Sequence, residues 1–216
     1  MRALNWAAGL VLVLCGRLGE AAIASKVEDV QPLLVGNPVP AVALKSVDGA
    51  AVDLRAAIGG KPTLLVFYRG GWCPYCTLQL SELRKLEPDL VKQGVQVIAI
   101  SPDRPAALRE TLDGSKLNYT LLSDSAAAAI QAFGIAYKVQ DAEIERYLGF
   151  GVDLEKASGS DHHALPAPGV FLVDKAGLIQ FSYVNPDYRT RVPQRLVRAA
   201  VDAMLAGETG KPLEVE

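Results

Sequence analysis

The chain has 216 residues, of which 50% are hydrophobic and 21% charged, and its formal net charge is −2. This length fits one domain with a full hydrophobic core, and the apolar fraction excludes a disordered chain. Because 22 basic residues face 24 acidic ones, no overall positive field favours nucleic acid, and none is expected as a partner.

The first 24 residues are predicted to form a signal peptide. Arg2 gives a short positive region, an apolar run extends over Trp6–Cys15, and Ala22-Ile23-Ala24 is a small-x-small cleavage site before Ser25. The run is too short to cross a bilayer, which needs about 20 residues, so no membrane span is expected. We expect export to the periplasm or the outside, with cleavage near Ala24 and a mature domain over residues 25–216. The alternative is a disordered or amphipathic N-terminal tail.

Hydrophobic periodicity predicts alternating strands and helices in the mature domain. Residues 25–62 contain short β-type pieces, and Pro88 is expected to kink or end its helix. This order predicts an α/β fold with a mixed central sheet and helices on both faces, and the short β-type pieces of residues 25–62 precede it as an N-terminal β extension. The predicted strands are Val42–Leu44, Ala51–Leu54, Thr63–Tyr68, Val95–Ile100, Tyr119–Leu122, Val170–Val173 and Ile179–Val184; the predicted helices are Pro74–Val91, 104–113, Ser125–Phe133, Asp141–Tyr147 and Pro193–Leu205.

One segment carries a pattern typical of redox chemistry. After the predicted strand Thr63–Tyr68 the chain reads Arg-Gly-Gly-Trp and then a C-x-x-C motif formed by Cys73 and Cys76. Pro74 suits the first position of a helix, which places Cys73 at the N-cap and Cys76 in the first turn. The unpaired N–H groups and the helix dipole favour a thiolate there, the species that attacks peroxides and disulfides. An N-cap side chain reaches solvent, so Cys73 is expected to be the more exposed of the two.

Three other interpretations compete with a redox pair. The cysteines could form a structural disulfide, although so short a loop gains little chain entropy. They could bind a metal together with His162 and His163, but adjacent histidines tend to point apart, and no metal is expected. They could also be inert core residues. The sequence has no phosphate loop, dinucleotide glycine motif or flavin motif, so no cofactor is expected and electrons should come from a protein or a small thiol.

The residues from Phe67 to Leu80 and from Val97 to Asp103 resemble the peroxiredoxin-like branch of the thioredoxin superfamily, the alkyl hydroperoxide reductase/thiol-specific antioxidant family. Further similarity lies in residues 121–124, 132–135 and 169–177, so the resemblance covers most of the mature chain. It implies a thioredoxin fold with an N-terminal extension, a peroxide substrate and a thioredoxin-type electron donor.

The active-site motif departs from that family. Its members carry Pro-x-x-x-Thr-x-x-Cys, and here Arg69 stands in the proline slot, Cys73 in the threonine slot and Cys76 in the slot of the peroxide-attacking cysteine. Pro168 stands where the family places an arginine before a later strand. The run Trp72–Cys76 is instead similar to the thioredoxin or glutaredoxin motif, and Pro168 matches the cis-proline that faces that motif.

The first attacker therefore stays open, because exposure favours Cys73 whereas the resemblance favours Cys76. Arg69 is expected either to stabilise a thiolate or a peroxide oxygen, or to be a solvated surface residue. A C-terminal aromatic and basic cluster is expected to form a solvated face or a dimer contact, which makes a homodimer possible. The cluster comprises Tyr183, Tyr188, Arg189 and Arg191.

These observations lead to three hypotheses. In the first, the protein is an exported, peroxiredoxin-like thiol peroxidase whose Cys73 and Cys76 cycle through thiolate, sulfenic acid and a local disulfide. In the second, it is an exported thiol–disulfide oxidoreductase that acts on protein cysteines. In the third, it is a non-enzymatic domain with vestigial thiols. The residues expected to support the pair are Arg69, Trp72, Pro74, Thr77 and Pro168.

Overall fold

A computed structural model describes residues 23–211, so nearly all of the predicted signal peptide, residues 1–22, lies outside the described residues. The strands are β1 Ala43–Ser46, β2 Ala51–Asp53, β3 Thr63–Phe67, β4 Gln96–Ser101, β5 Thr120–Ser123, β6 Ala136–Lys138, β7 Ala164–Pro166, β8 Gly169–Val173 and β9 Ile179–Val184. The helices are α1 Leu54–Ile58, α2 Pro74–Lys92, α3 Pro105–Ser115, α4 Ala128–Ala132, α5 Asp141–Gly149, α6 Leu154–Ser158 and α7 Gln194–Leu205, and a 3-10 turn covers Val27–Asp29.

Seven strands form one mixed sheet in the order β2-β1-β5-β4-β3-β8-β9. The central strands β3, β4 and β5 are parallel, and the strands on either side of them pair antiparallel. The predicted mixed sheet, with its β8–β9 hairpin, is confirmed. A second, two-stranded antiparallel sheet of β6 and β7 comes from a segment in which only a helix was predicted.

The side chains of β3 alternate between the two faces of the large sheet and are buried on both. Leu64 and Val66 belong to a core cluster that includes residues of α2 and α7. Leu65 and Phe67 belong to a second cluster that includes residues of α1 and α4. A central strand that is covered on both sides reads as a continuous apolar run, which is what the sequence shows. The predicted helices on both faces are therefore confirmed.

Two element boundaries differ from the prediction because carboxylates bind backbone N–H groups. The predicted strand Ala51–Leu54 ends one residue early, since Asp53 accepts a hydrogen bond from Ala56 N at 2.8 Å and caps α1. The predicted helix over 125–133 is shorter, since Asp124 holds a turn before α4. Its two oxygens accept the N–H groups of Ala129 and Ile130, both at 2.9 Å.

Pro88 does not end α2, because the helix continues past it to Lys92. Leu86 and Leu90 on either side of it are fully buried in the core below α2. Their burial offsets the backbone hydrogen bond that a proline cannot donate.

The topology brings two loops together at one edge of the large sheet. The strands β3 and β4 are parallel neighbours, so their carboxyl ends lie side by side, and Tyr68 N still donates to Ile100 O at 3.0 Å. This edge is where open α/β sheets bind ligands. Among the helices between residues 23 and 211, none is long and apolar enough to cross a membrane.

Candidate active site

The C-x-x-C motif lies where β3 passes into α2. Cys73 is the N-cap of α2, with φ −89° and ψ 115°, and Pro74 is the first helical residue, both as predicted. The Cys73 carbonyl accepts the N–H groups of Cys76 and Thr77, each at 3.0 Å. The Thr77 hydroxyl lies 3.2 Å from the Gly71 carbonyl, to which it donates, and so ties the first turn of α2 to the loop before it. The motif is thus held rigidly at the positive end of a 19-residue helix.

The loop before Cys73 packs too tightly for side chains. A Cβ at Gly71 would overlap the Thr111 hydroxyl of α3, and a Cβ at Gly70 would overlap Trp72 and lie 2.8 Å from Asp103 Oδ1. The Gly71 N–H donates to Asp103 Oδ2 at 2.7 Å. The two glycines therefore allow the loop to lie directly against α3 and the residues after β4.

Asp103 is a site residue that the sequence analysis missed. It lies two residues after the end of β4 and is 2% exposed. Burial raises the pKa of its carboxyl group to about 6, although the N–H of Gly71 and the hydroxyl of Ser101 partly oppose the rise. The sequence contained a signal that could have identified Asp103, because this residue stands at the carboxyl end of a strand that neighbours β3, where α/β proteins place their site residues.

Both thiol side chains are buried, with Cys73 1% and Cys76 0% exposed. The expectation that the N-cap position exposes Cys73 is wrong, because its side chain belongs to the same apolar cluster as Tyr68, Cys76 and Leu80. Exposure therefore does not distinguish the two cysteines.

The two thiols differ in their pKa. A hydrogen bond from the Cys76 thiol is the main cause that lowers the pKa of Cys73 to about 6, against the effect of burial. The N–H of Cys76 and the charges of Arg69 and Arg191 lower it further. Burial raises the pKa of Cys76 well above its ordinary range. Near neutral pH the pair therefore consists of a Cys73 thiolate and a Cys76 thiol.

Arg69 is buried and not a solvated surface residue. It is 2% exposed, and its guanidinium carbon lies 5.2 Å from the ring centroid of Trp72, 5.3 Å from that of Tyr147 and 4.2 Å from that of Tyr188. Its Nη2 donates to the Tyr147 hydroxyl, which in turn donates to Glu143 at 2.6 Å. Three aromatic faces thus stabilise a buried cation beside Cys73.

A second arginine reaches the other sulfur. Arg191 Nη2 donates to Cys76 Sγ at 3.4 Å, across 115 positions of sequence. The sequence analysis placed Arg191 in a solvated or dimer-contact cluster, and the residue itself is only partly exposed. No local sequence pattern predicts this contact, because the contact depends on how the segment between β9 and α7 folds.

Pro168 is not a cis-proline, since no peptide bond in the described part of the chain is cis. The chain stays extended from β7 into β8, held by hydrogen bonds from Ala167 N to Ile135 O at 2.8 Å and from Asn185 N to Pro168 O at 3.2 Å. Pro168 is buried and lines a narrow cleft together with Arg191.

The histidines do not join the cysteines. The Nδ1 of His162 accepts the Ala164 N–H at 2.9 Å, and His163 Nε2 lies 2.9 Å from Glu155 Oε1. Within residues 23–211, no group of three or more acidic, histidine or cysteine side chains is arranged to hold a metal ion. The geometry therefore offers a thiol pair with two cations and a buried carboxyl group.

Solved structures share this architecture. Peroxidoxin BcpB from Mycobacterium tuberculosis matches with a TM-score of 0.61 and 17% identity, over 79% of this chain and 97% of that one. A peroxiredoxin 6 of Arenicola marina matches with a TM-score of 0.65 and 18% identity, over 82% and 75% of the two chains. At these identities the likeness shows the fold, and it defines the protein as an α/β protein of the thioredoxin-like class.

Sequence comparison narrows that class. Residues 35–182, more than half of the chain, match the AhpC/TSA family, and the chain belongs to that family. A putative peroxiredoxin bcp from Haemophilus influenzae is 38% identical over 104 residues, which are 48% of this chain and 66% of that protein. The matched region thus spans just under two thirds of the length of this relative.

Proposed function

We propose that the chain is an antioxidant thiol peroxidase in which Cys73 attacks the peroxide and Cys76 closes a local disulfide. The observation that carries this proposal is the position of Cys73 as the N-cap of α2, with Cys76 in the first turn, where the pKa of Cys73 is lowered to about 6. A thiolate, and not a thiol, is the nucleophile toward peroxides. Membership in the AhpC/TSA family and similarity to a relative named as a peroxiredoxin support the same activity.

The chemistry proceeds in two balanced steps. The Cys73 thiolate attacks one peroxide oxygen, so an S–O bond forms, the O–O bond breaks, and the leaving oxygen takes a proton and departs as water or an alcohol. The sulfur loses two electrons, the peroxide gains two, and Cys73 becomes a sulfenic acid. The deprotonated sulfur of Cys76 then attacks the Cys73 sulfur. An S–S bond forms, the S–O bond breaks, and hydroxide combines with the proton from Cys76 and leaves as water.

This assignment reverses the one that the family motif implies, in which Cys76 occupies the attacking slot. The buried Cys76 thiol holds its proton and donates it toward Cys73, whereas Cys73 has the helix N-terminus and Arg69 beside it. Arg69 takes the place of the family proline and supplies a buried positive charge. We therefore assign attack to Cys73 and resolution to Cys76.

The test is the rate at which the reduced protein loses thiols on mixing with hydrogen peroxide. We expect the wild type to react much faster than free cysteine and to end as a disulfide between Cys73 and Cys76. Cys76→Ser should stop at a sulfenic acid on Cys73, which dimedone captures, and Cys73→Ser should be inactive. Oxidation of the wild type no faster than that of free cysteine would contradict the proposal.

A thiol–disulfide oxidoreductase is the second candidate. The side chains of Tyr75 and Leu78, which flank Cys76 in sequence, are 42% and 62% exposed, and such an apolar surface suits contact with a protein substrate. Reduction of insulin disulfides by the dithiol form, compared with Cys73→Ser, distinguishes this activity. Rapid insulin reduction with slow peroxide consumption would favour it over the peroxidase.

We further propose a thioredoxin-type or small-thiol reductant for the disulfide, and export after signal-peptide cleavage near Ala24. Ala24 is hydrogen-bonded to β6, because Ala24 N donates to Ala136 O at 2.9 Å and Lys138 N donates to Ala24 O at 2.8 Å. Cleavage after Ala24 would therefore remove both hydrogen bonds from the mature protein. N-terminal analysis of the protein recovered from each cell fraction would locate both the protein and its first residue. Sedimentation of the same sample would test the possible homodimer.

A further inference from the structure

Arg191 carries a positive charge that its surroundings do not neutralise. It lies in the segment between β9 and α7, and among the described residues no carboxylate is within ion-pair distance of it, whereas Arg189 pairs with Asp187 and Arg198 with Asp89. Its Nη2 donates to Cys76 Sγ, and its Nε and Nη1 are buried without an acceptor in the described part of the chain. Buried donors without partners are costly, so this placement calls for an anion nearby.

Among the described residues, the acceptor at this contact is the sulfur of Cys76, which becomes an anion when it loses its proton. This sulfur is fully buried, and a thiolate formed there loses the solvation that water would give it. Closure of the disulfide nevertheless requires that Cys76 give up its proton before it attacks Cys73. A guanidinium in contact with the sulfur supplies the compensating charge at the moment of that step.

We propose that Arg191 is a catalytic residue of the resolving step, which stabilises the Cys76 thiolate as it attacks the oxidised sulfur of Cys73. The proposal rests on the assignment of Cys76 as the resolving cysteine. It places Arg191 in direct contact with the resolving sulfur, in addition to the charge that Arg69 supplies near the attacking thiolate. In the reverse direction, when a reductant opens the disulfide at Cys73, the same contact stabilises Cys76 as the leaving thiolate.

The decisive variant is Arg191→Met, which keeps much of the side-chain length and removes the charge. Arg191→Lys restores a charge without the planar fork, and Arg189→Met is the matched control, since its partner is Asp187 on the protein surface. After a single addition of hydrogen peroxide we expect Arg191→Met to form the Cys73 sulfenic acid but to close the disulfide about tenfold more slowly, as loss of an adjacent opposite charge predicts. The extent to which dimedone labels Cys73 should then be greatest in Arg191→Met and smaller in Arg191→Lys. In Arg189→Met it should not exceed the extent of labelling in the wild type.

A second measurement follows the same step without peroxide. The Cys73 thiolate attacks oxidised glutathione, so that a mixed disulfide forms, the glutathione S–S bond breaks and one glutathione thiolate leaves. The Cys76 thiolate then attacks Cys73, so that the local disulfide forms, the mixed disulfide breaks and the second glutathione leaves as a thiolate. The release of this second glutathione should also be about tenfold slower in Arg191→Met. If the peroxide reaction fails but this dependence persists, the peroxidase assignment is wrong and the role of Arg191 stands. Closure at the wild-type rate in both assays by a folded Arg191→Met, as judged by circular dichroism, would overturn the proposal.

Discussion

The Asp103 carboxylate accepts the Gly71 N–H at 2.7 Å and so joins the loop after β4 to the loop that presents Cys73. Both residues follow parallel neighbouring strands, and the Asp103 side chain is buried. The two loops therefore form one rigid support below the thiol pair.

The titration of Asp103 should make the stability of the protein depend on pH. Its folded pKa is raised from 3.8 to about 6, so the folded state holds this proton more tightly than the unfolded chain does. The resulting contribution to stability is present below about pH 4 and is lost as the pH rises through about 6. Asp103→Asn removes the titration while its amide oxygen can still accept the Gly71 N–H. We expect the free energy of unfolding of the variant, measured in urea, to increase relative to that of the wild type as the pH is raised from about 4 to 7.

The matched control for that measurement is Asp113→Asn, at an exposed carboxyl group of α3. A difference between Asp103→Asn and the wild type that stays constant over the pH range would contradict the assignment.

The reactivity of Cys73 should follow its own ionisation. Alkylation by iodoacetamide requires the thiolate, so its rate at Cys73 should be half-maximal near pH 6 and fall as the pH drops below that value. Cys76→Ala removes the main hydrogen bond to the thiolate and should move the midpoint upward. Peptide mapping after alkylation at graded pH identifies the labelled cysteine. Preferential labelling of Cys76 at low pH would show that the order of attack is the reverse.

Loss of the Arg69 cation should affect both reactivity and stability. Arg69→Met removes a positive charge near Cys73, which raises the pKa of that thiol and should slow the peroxide reaction by about tenfold. It also removes the cation from the three aromatic rings, which should lower the free energy of unfolding by about 1–3 kcal/mol. Stopped-flow peroxide kinetics and urea unfolding measure the two effects. The exposed Arg195→Met of α7 should change neither.

The close packing of Gly71 predicts a specific steric cost. Gly71→Ala places a methyl group on the Thr111 hydroxyl, so the free energy of unfolding should fall by about 1–3 kcal/mol. Thr111→Ala removes the overlapped oxygen, and the double variant should recover part of the loss, a coupling that urea unfolding of all four proteins measures. Gly114→Ala, with open space around its Cβ in α3, should be neutral or stabilising. Additive effects of the two single substitutions would contradict the proposed contact.

The part of the fold that could be predicted is the part with local signals. Continuous apolar runs located β3 and β4, and Pro74 after Cys73 located the start of α2. The strands β6 and β7 are only three residues each, too short for periodicity to reveal. The helix α1 was missed because its start depends on a single capping contact at Asp53.

The candidate active site also has a part that local sequence signals predict and a part that they do not. The C-x-x-C pair and its neighbours in sequence were predictable, because N-cap chemistry is local. The burial of Arg69 depends on Tyr147 and Tyr188, which come from distant segments, and the contact of Arg191 with Cys76 spans the fold. Long-range packing therefore adds the two arginines to the thiol pair, and no local pattern of residues encodes their positions.

The hydrogen bonds of Ala24 to β6 connect the start of the described chain to the surroundings of the thiols. Ala24 packs against the same small cluster of buried side chains as Trp72 and Tyr147, two of the rings around Arg69. A protease that cleaves after Ala24 would remove these two hydrogen bonds and the contact of Ala24 with that cluster. Maturation of the N-terminus would then act on the packing around the Arg69 rings, nearly fifty positions away in sequence from Cys73.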